Sequence, residues 1–85
     1  MNREYRLGKK FEKKVKKLKG QELKNVISKI DDIINTKDLN HYKNLKYDLK
    51  KYKRVHVNTS FVIIFYDEKD KIIYFVDYAH HDKVY

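Results

Sequence analysis

The run Ala79-His80-His81-Asp82-Lys83-Val84-Tyr85 sets two adjacent imidazoles, a carboxylate and a phenol directly after an apolar, strand-like stretch. Histidine is the side chain best suited both to take and to give a proton near neutral pH. A further imidazole, His56, lies in Tyr52 to Val57, where alternation turns Val55 and Val57 one way and Tyr52, Arg54 and His56 the other. These residue types suit RNA cleavage through the 2′-hydroxyl. One group removes the 2′-OH proton, a second protonates the departing 5′-oxygen, and a cation such as Arg54 stabilises charge on phosphorus. His80 and His81 are neighbours, so a continued strand would turn them to opposite faces and at most one would join His56. Asp82 is suited to orient an imidazole, and Tyr85 to stack on a base or donate to a phosphate. No pair among His41, His56, His80, His81 and Asp82 has the helical or short-loop spacing typical of a zinc site, so no metal is expected. With two glycines there is no phosphate-cradling loop, and no cofactor is expected.

These groups sit on a polycation. The 85 residues carry 21 Lys and Arg against 12 Asp and Glu, a formal charge of +9, which favours nucleic acid or another polyanion as partner. Nine bases fall within residues 1–20. A second cluster is Lys43, Lys46, Lys50, Lys51, Lys53 and Arg54, interleaved with Tyr42, Tyr47 and Tyr52. Bases mixed with aromatics suit RNA, whose unpaired bases stack, so His41 and the lysines of this cluster are candidate RNA contacts. The absence of Cys removes disulfides and thiolate zinc sites and is compatible with a cytoplasmic protein. No apolar run approaches the roughly 20 residues of a membrane span, and the basic N-terminal stretch lacks the apolar core of a signal peptide.

The elements that must position the site read as one domain over 1–85. Leu7, Phe11, Val15 and Leu18 recur at helical spacing, then Leu23, Val26, Ile27, Ile30, Ile33 and Ile34 form a stronger stripe beyond Gly20. Helices are expected at about 8–19 and 21–35, paired as a hairpin, with residues 3–6 as a candidate short strand. Strands are expected at about 51–57, 61–67 and 71–78, joined by turns at Asn58-Thr59-Ser60 and Asp67-Glu68-Lys69-Asp70. The fold class is α+β, with the helical hairpin on one face of a small antiparallel sheet. Phe61 to Tyr66 is apolar at every position, so both sheet faces need cover. Two helices cover one. The other is expected to form a concave surface for a partner.

His41-Tyr42-Lys43-Asn44-Leu45, Tyr52 to Val57, Phe61 to Tyr66 and His80 to Tyr85, in this order after two helices, resemble the RelE superfamily of type II toxins over essentially the whole chain. The resemblance implies a βααβββ fold and a toxin that is a metal-independent, ribosome-dependent mRNA endonuclease. It also implies neutralisation by a RelB-like antitoxin whose amphipathic helix lies on the sheet groove. Arg54 and His56 fall on basic positions of the family's strand. The family's following strand arginine falls on Val62, a departure that removes a phosphate clamp. The histidine-using, YafQ-like branch matches better: its strand histidine falls on His56, its C-terminal histidine on His81 (or His80 one register away), its upstream histidine on His41 and its C-terminal aromatic on Tyr85. That branch's acidic residue falls on Ser60. The expected catalytic set is therefore His56, His81, His80, Tyr85 and Arg54. The alternatives are a ParE-like gyrase inhibitor and an inactive basic RNA-binding module.

Overall fold

A computed structural model describes residues 3–39, 42–45, 51–68 and 72–83. The element order is β1 (Glu4–Leu7), α1 (Lys9–Val15), α2 (Gly20–Asn35), β2 (Lys43–Asn44), β3 (Lys53–His56), β4 (Phe61–Glu68) and β5 (Ile72–His80). A single turn of 3-10 helix, His81–Lys83, follows. The strands form one sheet in the order β1-β5-β4-β3-β2. β2 to β5 pair antiparallel, while β1 lies parallel to β5. The architecture is α+β as expected. The sheet, however, is mixed and has five strands, because β1 returns beside β5 and the two-residue β2 adds an edge too short to carry a periodic signal. Among the described residues no helix is long and apolar enough to cross a membrane.

The first helix is shorter than its apolar spacing suggests. After Val15 the chain tightens, with Lys17 N–H donating to the Lys14 carbonyl and Leu18 N–H to the Val15 carbonyl. These bonds span three residues and serve helix-terminal carbonyls that lack a partner further on. Gly20, at φ +61°, then turns the chain into α2, in a backbone region that costs other residues more. At the far end of α2 the Arg3 guanidinium donates to the carbonyls of Thr36 and Lys37, and Arg3 N–H donates to the Ile34 carbonyl. Arg3, the residue just ahead of β1, thus caps the end of α2.

Gly8 joins β1 to α1 where its N–H donates to the Phe75 carbonyl at 2.8 Å. A Cβ here would stand 3.0 Å from that same backbone oxygen, so glycine is what allows the approach. Beyond Phe75, where β1 has ended, α1 takes over beside β5. Lys10 and Lys14 reach Asp77 at 3.2 and 2.7 Å, and Lys14 also donates to the Tyr78 carbonyl. Burial alone would raise the Asp77 pKa. The hydrogen bonds from Lys14 and Lys10, with the Lys14 charge, outweigh it and hold the carboxyl below its ordinary value.

The main core lies between the helices and one sheet face. Phe11, Val26, Ile33, Ile63, Phe65, Ile73 and Phe75 are all fully buried there. The apolar centre of the other face, expected to lie under a partner, is covered within the chain, while the rest of that face stays open. Val62 (0% exposed) and Ile64 (7%) are buried against Leu45, with Tyr52 and Val76 packed alongside. Leu45, just after β2, and Tyr52, just before β3, supply much of this cover, with Leu45 N–H donating to the Tyr52 carbonyl. Apolar residues of both parities are thus accounted for largely within the chain itself.

Candidate active site

The histidines are positioned by a bulge. The β4–β5 register runs Phe65 against Phe75, but Ile64 against Asp77 and Ile63 against Tyr78. Val76 is the extra residue, and the bulge re-phases the rest of β5. Phe75 and Tyr78, three apart, both join the core under the helices. His80, opposite the core-packed Phe61, follows Tyr78 to the helix side. His81 is then turned toward the side that carries His56. Its backbone N–H donates to the Ser60 carbonyl at 2.8 Å, which fixes the exit of β5 to the β3–β4 turn. That turn is itself held by Asn58, whose side-chain oxygen accepts from the N–H groups of Ser60 and Phe61 at 2.8 Å each.

The result is a row of imidazoles around the end of the sheet. The His56 and His81 ring centroids are 6.4 Å apart, and those of His81 and His80 are stacked at 4.8 Å. His56 is exposed and lies opposite Val62, on the face away from the helices. Asp82 spans the other two, with one carboxylate oxygen 3.1 Å from His81 Nδ1 and the other 3.5 Å from His80 Nδ1. The carboxylate can receive Nδ1–H from His81 and leave Nε2 of that ring to take or give a proton, whereas His80 Nδ1 accepts the Asp82 backbone N–H at 3.2 Å. His80 is held further by the edge of Phe61 at 5.4 Å, and Phe61 stacks on Tyr78 at 4.9 Å. His80, His81 and Asp82 are also the residues that could hold a divalent transition metal, their ligand atoms lying within 4.8 Å of one another.

Cations flank the row. Arg54 precedes His56 by two residues on the same side of β3, and Lys43 of β2 pairs with Arg54 across the ladder. Tyr42, Lys43, Arg54, Val55 and His56 line a cleft of about 210 Å³ at this sheet edge. Burial, and then the Asp32 charge, raise the Tyr42 phenol above its ordinary value. Such a cleft can seat an anion against a guanidinium and an ammonium with an imidazole at its rim.

Several expected contacts fall elsewhere. Lys53 points to the helix side, is 9% exposed and donates to the Asn44 side-chain oxygen at 3.1 Å. It braces β2 against β3 and is not the open phosphate contact its charge suggested. Lys51 lies over the rings of Tyr52 and Tyr66, 5.1 and 4.9 Å from their centroids. Val62 is buried, so no cation substitutes there for the arginine of the resemblance. His41, Lys46, Lys50 and Tyr85 lie outside the described residues. Sequence reasoning missed Asn58 and Ser60 as the groups that tether His81. The Asn-x-Ser turn was visible, but nothing local indicated that its free carbonyl would be claimed by β5.

On the far side of His80, Lys14, Lys17, Leu18, Glu22, Phe61, Tyr78 and Ala79 line a larger cleft of about 420 Å³ beneath the helix corner. Tyr78 hydroxyl donates to the Glu22 carboxylate there at 2.9 Å. Burial first, then the hydrogen bond and charge of Glu22, push the phenol up to about 12, against a smaller lowering by Asn58.

Comparison with known proteins gives a family. No family model matches the chain. A protein of Methanocaldococcus jannaschii named "Putative toxin RelE4" is 42% identical over 73 residues, 85% of this chain and 76% of that one. The crystal structure of YafQ from E. coli superposes with TM-score 0.67 at 21% identity, covering 95% of this chain and 96% of that one. The RelBE2 toxin-antitoxin complex of Mycobacterium tuberculosis gives TM-score 0.65 at 9% identity, covering 94% and 99%. The two structural matches share the fold, and the sequence relative, aligned over most of both chains, is decisive: the chain belongs to the RelE toxin family.

Proposed function

We propose that the protein is the toxin of a toxin-antitoxin pair and an endoribonuclease that cuts mRNA on the ribosome in the cytoplasm. The observation that carries this reading is the approach of the His56 and His81 rings to 6.4 Å on the side of the sheet bearing Arg54 and Lys43. One imidazole takes the 2′-OH proton. The 2′-oxygen attacks the adjacent phosphorus, a P–O2′ bond forms and the P–O5′ bond breaks. The second imidazole returns a proton to the leaving 5′-oxygen. The products are a 2′,3′-cyclic phosphate and a 5′-hydroxyl end. Arg54 and Lys43 stabilise the charge that builds on the phosphoryl oxygens, Asp82 orients His81 through Nδ1, and His80 and Tyr85 complete the site. No step in this scheme calls for a metal. His41, Lys46, Lys50 and Lys51 hold flanking phosphates.

The partner we infer is a RelB-like antitoxin with an amphipathic helix. The solved M. tuberculosis relative is a toxin-antitoxin complex, and a chain of charge +9 favours an acidic partner. Such a partner binds the native state alone and raises the melting temperature. A melting temperature that stays unchanged at saturating partner counts against it.

The test is ribosome-programmed mRNA cleavage by His56→Ala and His81→Ala protein, with melting curves to verify the fold. Each change should cost about 10²–10⁴ in rate while the curves stay close to wild type. Full activity in both variants overturns the catalytic reading. Buried Val62 in place of a strand arginine favours a second reading, a ParE-like gyrase inhibitor. In that case the protein blocks DNA supercoiling and leaves ribosome-bound mRNA intact.

A further inference from the structure

The open face of the sheet carries a second polar feature, at the end away from the histidines. Tyr66 of β4 pairs directly with Tyr74 of β5, and Tyr74 with Arg6 of β1. Tyr52, just ahead of β3, meets Tyr66 edge to face at 5.5 Å, and Tyr66 stacks on Tyr74 at 5.1 Å. The four side chains therefore form one cross-strand row, aromatic for three positions and cationic at the last. Lys51 lies above both Tyr52 and Tyr66. Lys9 and Lys10 line the same cleft of about 370 Å³ with Tyr52, Tyr66 and Tyr74.

This row differs from core packing. All three rings are only half-buried, unlike Val62 and Ile64 beside them. Among the described residues none of the three hydroxyls has a hydrogen-bond partner. The nearby charges are mostly positive: Lys9, Lys10, Lys51 and Arg6, with Glu4 3.9 Å from Arg6 and Asp77 held by Lys10 and Lys14. Aromatic faces interleaved with ammonium groups are the combination that binds unpaired nucleobases with their phosphates. An apolar peptide would find little here beyond the tyrosine rings. His56 lies four positions beyond Tyr52, about 13 Å at strand rise, with Arg54 midway on the same side. An RNA strand cut beside His56 can continue past Arg54 to the tyrosines.

We infer that the Tyr52-Tyr66-Tyr74-Arg6 row is a stacking platform for single-stranded RNA, holding the bases that flank the scissile phosphate. The inference deepens the nuclease reading and rests on RNA as the ligand. The platform positions substrate and takes no part in proton transfer.

The experiment measures binding of the full-length chain to a fluorescein-labelled, uncleavable 2′-O-methyl octanucleotide, with inorganic polyphosphate as an anion without bases. The Tyr66→Ala/Tyr74→Ala protein should bind the oligonucleotide at least roughly tenfold more weakly. Its polyphosphate affinity should stay within about twofold of wild type, since no cation is removed. Tyr66→Phe/Tyr74→Phe should retain oligonucleotide affinity, because stacking uses the ring. Tyr66→Leu/Tyr74→Leu, which keeps apolar volume without a π face, should fail like the alanine protein and covers the case in which the alanine protein does not fold. Equal losses for the two ligands, or a phenylalanine protein as weak as the alanine one, overturn the platform. So does normal RNA binding together with lost affinity for the antitoxin, which would make the row a protein contact. Because the oligonucleotide is uncleavable, active His56→Ala and His81→Ala proteins would overturn the nuclease reading without altering this result. In cleavage of a full-length message the alanine protein should raise KM and leave kcat near wild type.

Discussion

The two faces of the same three central strands are built on different terms. Toward the helices, Ile63, Phe65, Ile73 and Phe75 meet Phe11, Val26 and Ile33 in a core without an exposed atom among them. Away from the helices, a patch of Val62, Ile64 and Leu45 is rimmed by His56 and Arg54 at one end and by tyrosines and Lys51 at the other. The helix face can spend all its positions on burial. The other face carries a smaller apolar patch, packed by Tyr52 and Val76, and gives more of its positions to half-buried or exposed aromatic, basic and imidazole side chains. On the proposed nuclease reading, stability and chemistry lie on opposite sides of the sheet, and each should be accessible to mutation without the other.

The sharpest way to break that separation is to hit both faces and compare. Phe65→Ala removes a fully buried ring that meets Tyr42 edge-on at 5.5 Å and Phe75 at 6.2 Å. It should cost about 3–5 kcal/mol, enough in a domain this small to leave much of the chain unfolded at 37 °C by thermal denaturation. His81→Ala should move the melting temperature by only a few degrees, as removal of an exposed side chain does, while removing most RNA cleavage. If His81→Ala proves as destabilising as Phe65→Ala, the imidazole is a structural brace and the two faces are not independent.

How much of this was legible in the sequence follows from the same contrast. Periodic elements were legible because burial writes itself into spacing: the stripe from Leu23 to Ile34 and the apolar run of β4 gave α2 and β4 nearly as they stand. The parallel docking of β1 was not, because four exposed residues bear no pattern that names a neighbour. Nor was the cover of the other face, which depends on Leu45 packing with Val62 and Ile64, since a lone leucine among polar residues carries no periodic signal. At the site, residue types were informative and sidedness was not. His80 and His81 read as pointing opposite ways on a continued strand, but the strand ends at His80 and the turn that follows stacks the two rings at 4.8 Å, with His81 the nearer to His56. Lys53 was misjudged because charge alone cannot reveal that a lysine on the apolar parity of a strand has an asparagine across the ladder to satisfy it.

A smaller effect tests the seam where α1 replaces β1 beside β5. Asp77 is held below its ordinary value in the folded protein, so folding favours its charged form. Its contribution to stability is complete above the unfolded carboxyl value of about 4 and drains away as pH falls through the lower folded value. Asp77→Asn should cost about 1 kcal/mol at neutral pH, since the pair with Lys14 is partly exposed. It should also flatten the acid limb of stability measured by urea denaturation as pH falls below about 4. An unchanged acid limb would mean that Lys10 and Lys14 dock α1 through apolar contact and the Tyr78 carbonyl, with the carboxylate incidental.

The smallest effect sits closest to the boundary between the two faces. Tyr78 ties β5 to α2 through Glu22, next to the strand position that carries His80 toward the helix side. Its phenol is pushed up to about 12 by burial and by Glu22, against about 10 in an unfolded chain. A raised value means that folding favours the protonated form. This stabilisation is whole below about pH 10 and is lost as pH rises through 12. Tyr78→Phe keeps the ring on Phe61 and removes the hydroxyl. It should cost about 0.5–1 kcal/mol at neutral pH, remove a tyrosine that titrates near pH 12 from the ultraviolet alkaline titration, and make stability less dependent on pH near 11. Cleavage should persist, because the hydroxyl faces the helix cleft and not the His56–His81 pair. A large loss of cleavage in a well-folded Tyr78→Phe protein would instead tie the helix-side cleft to the chemistry through His80, and the sheet would no longer divide the molecule into a stabilising face and a reacting one.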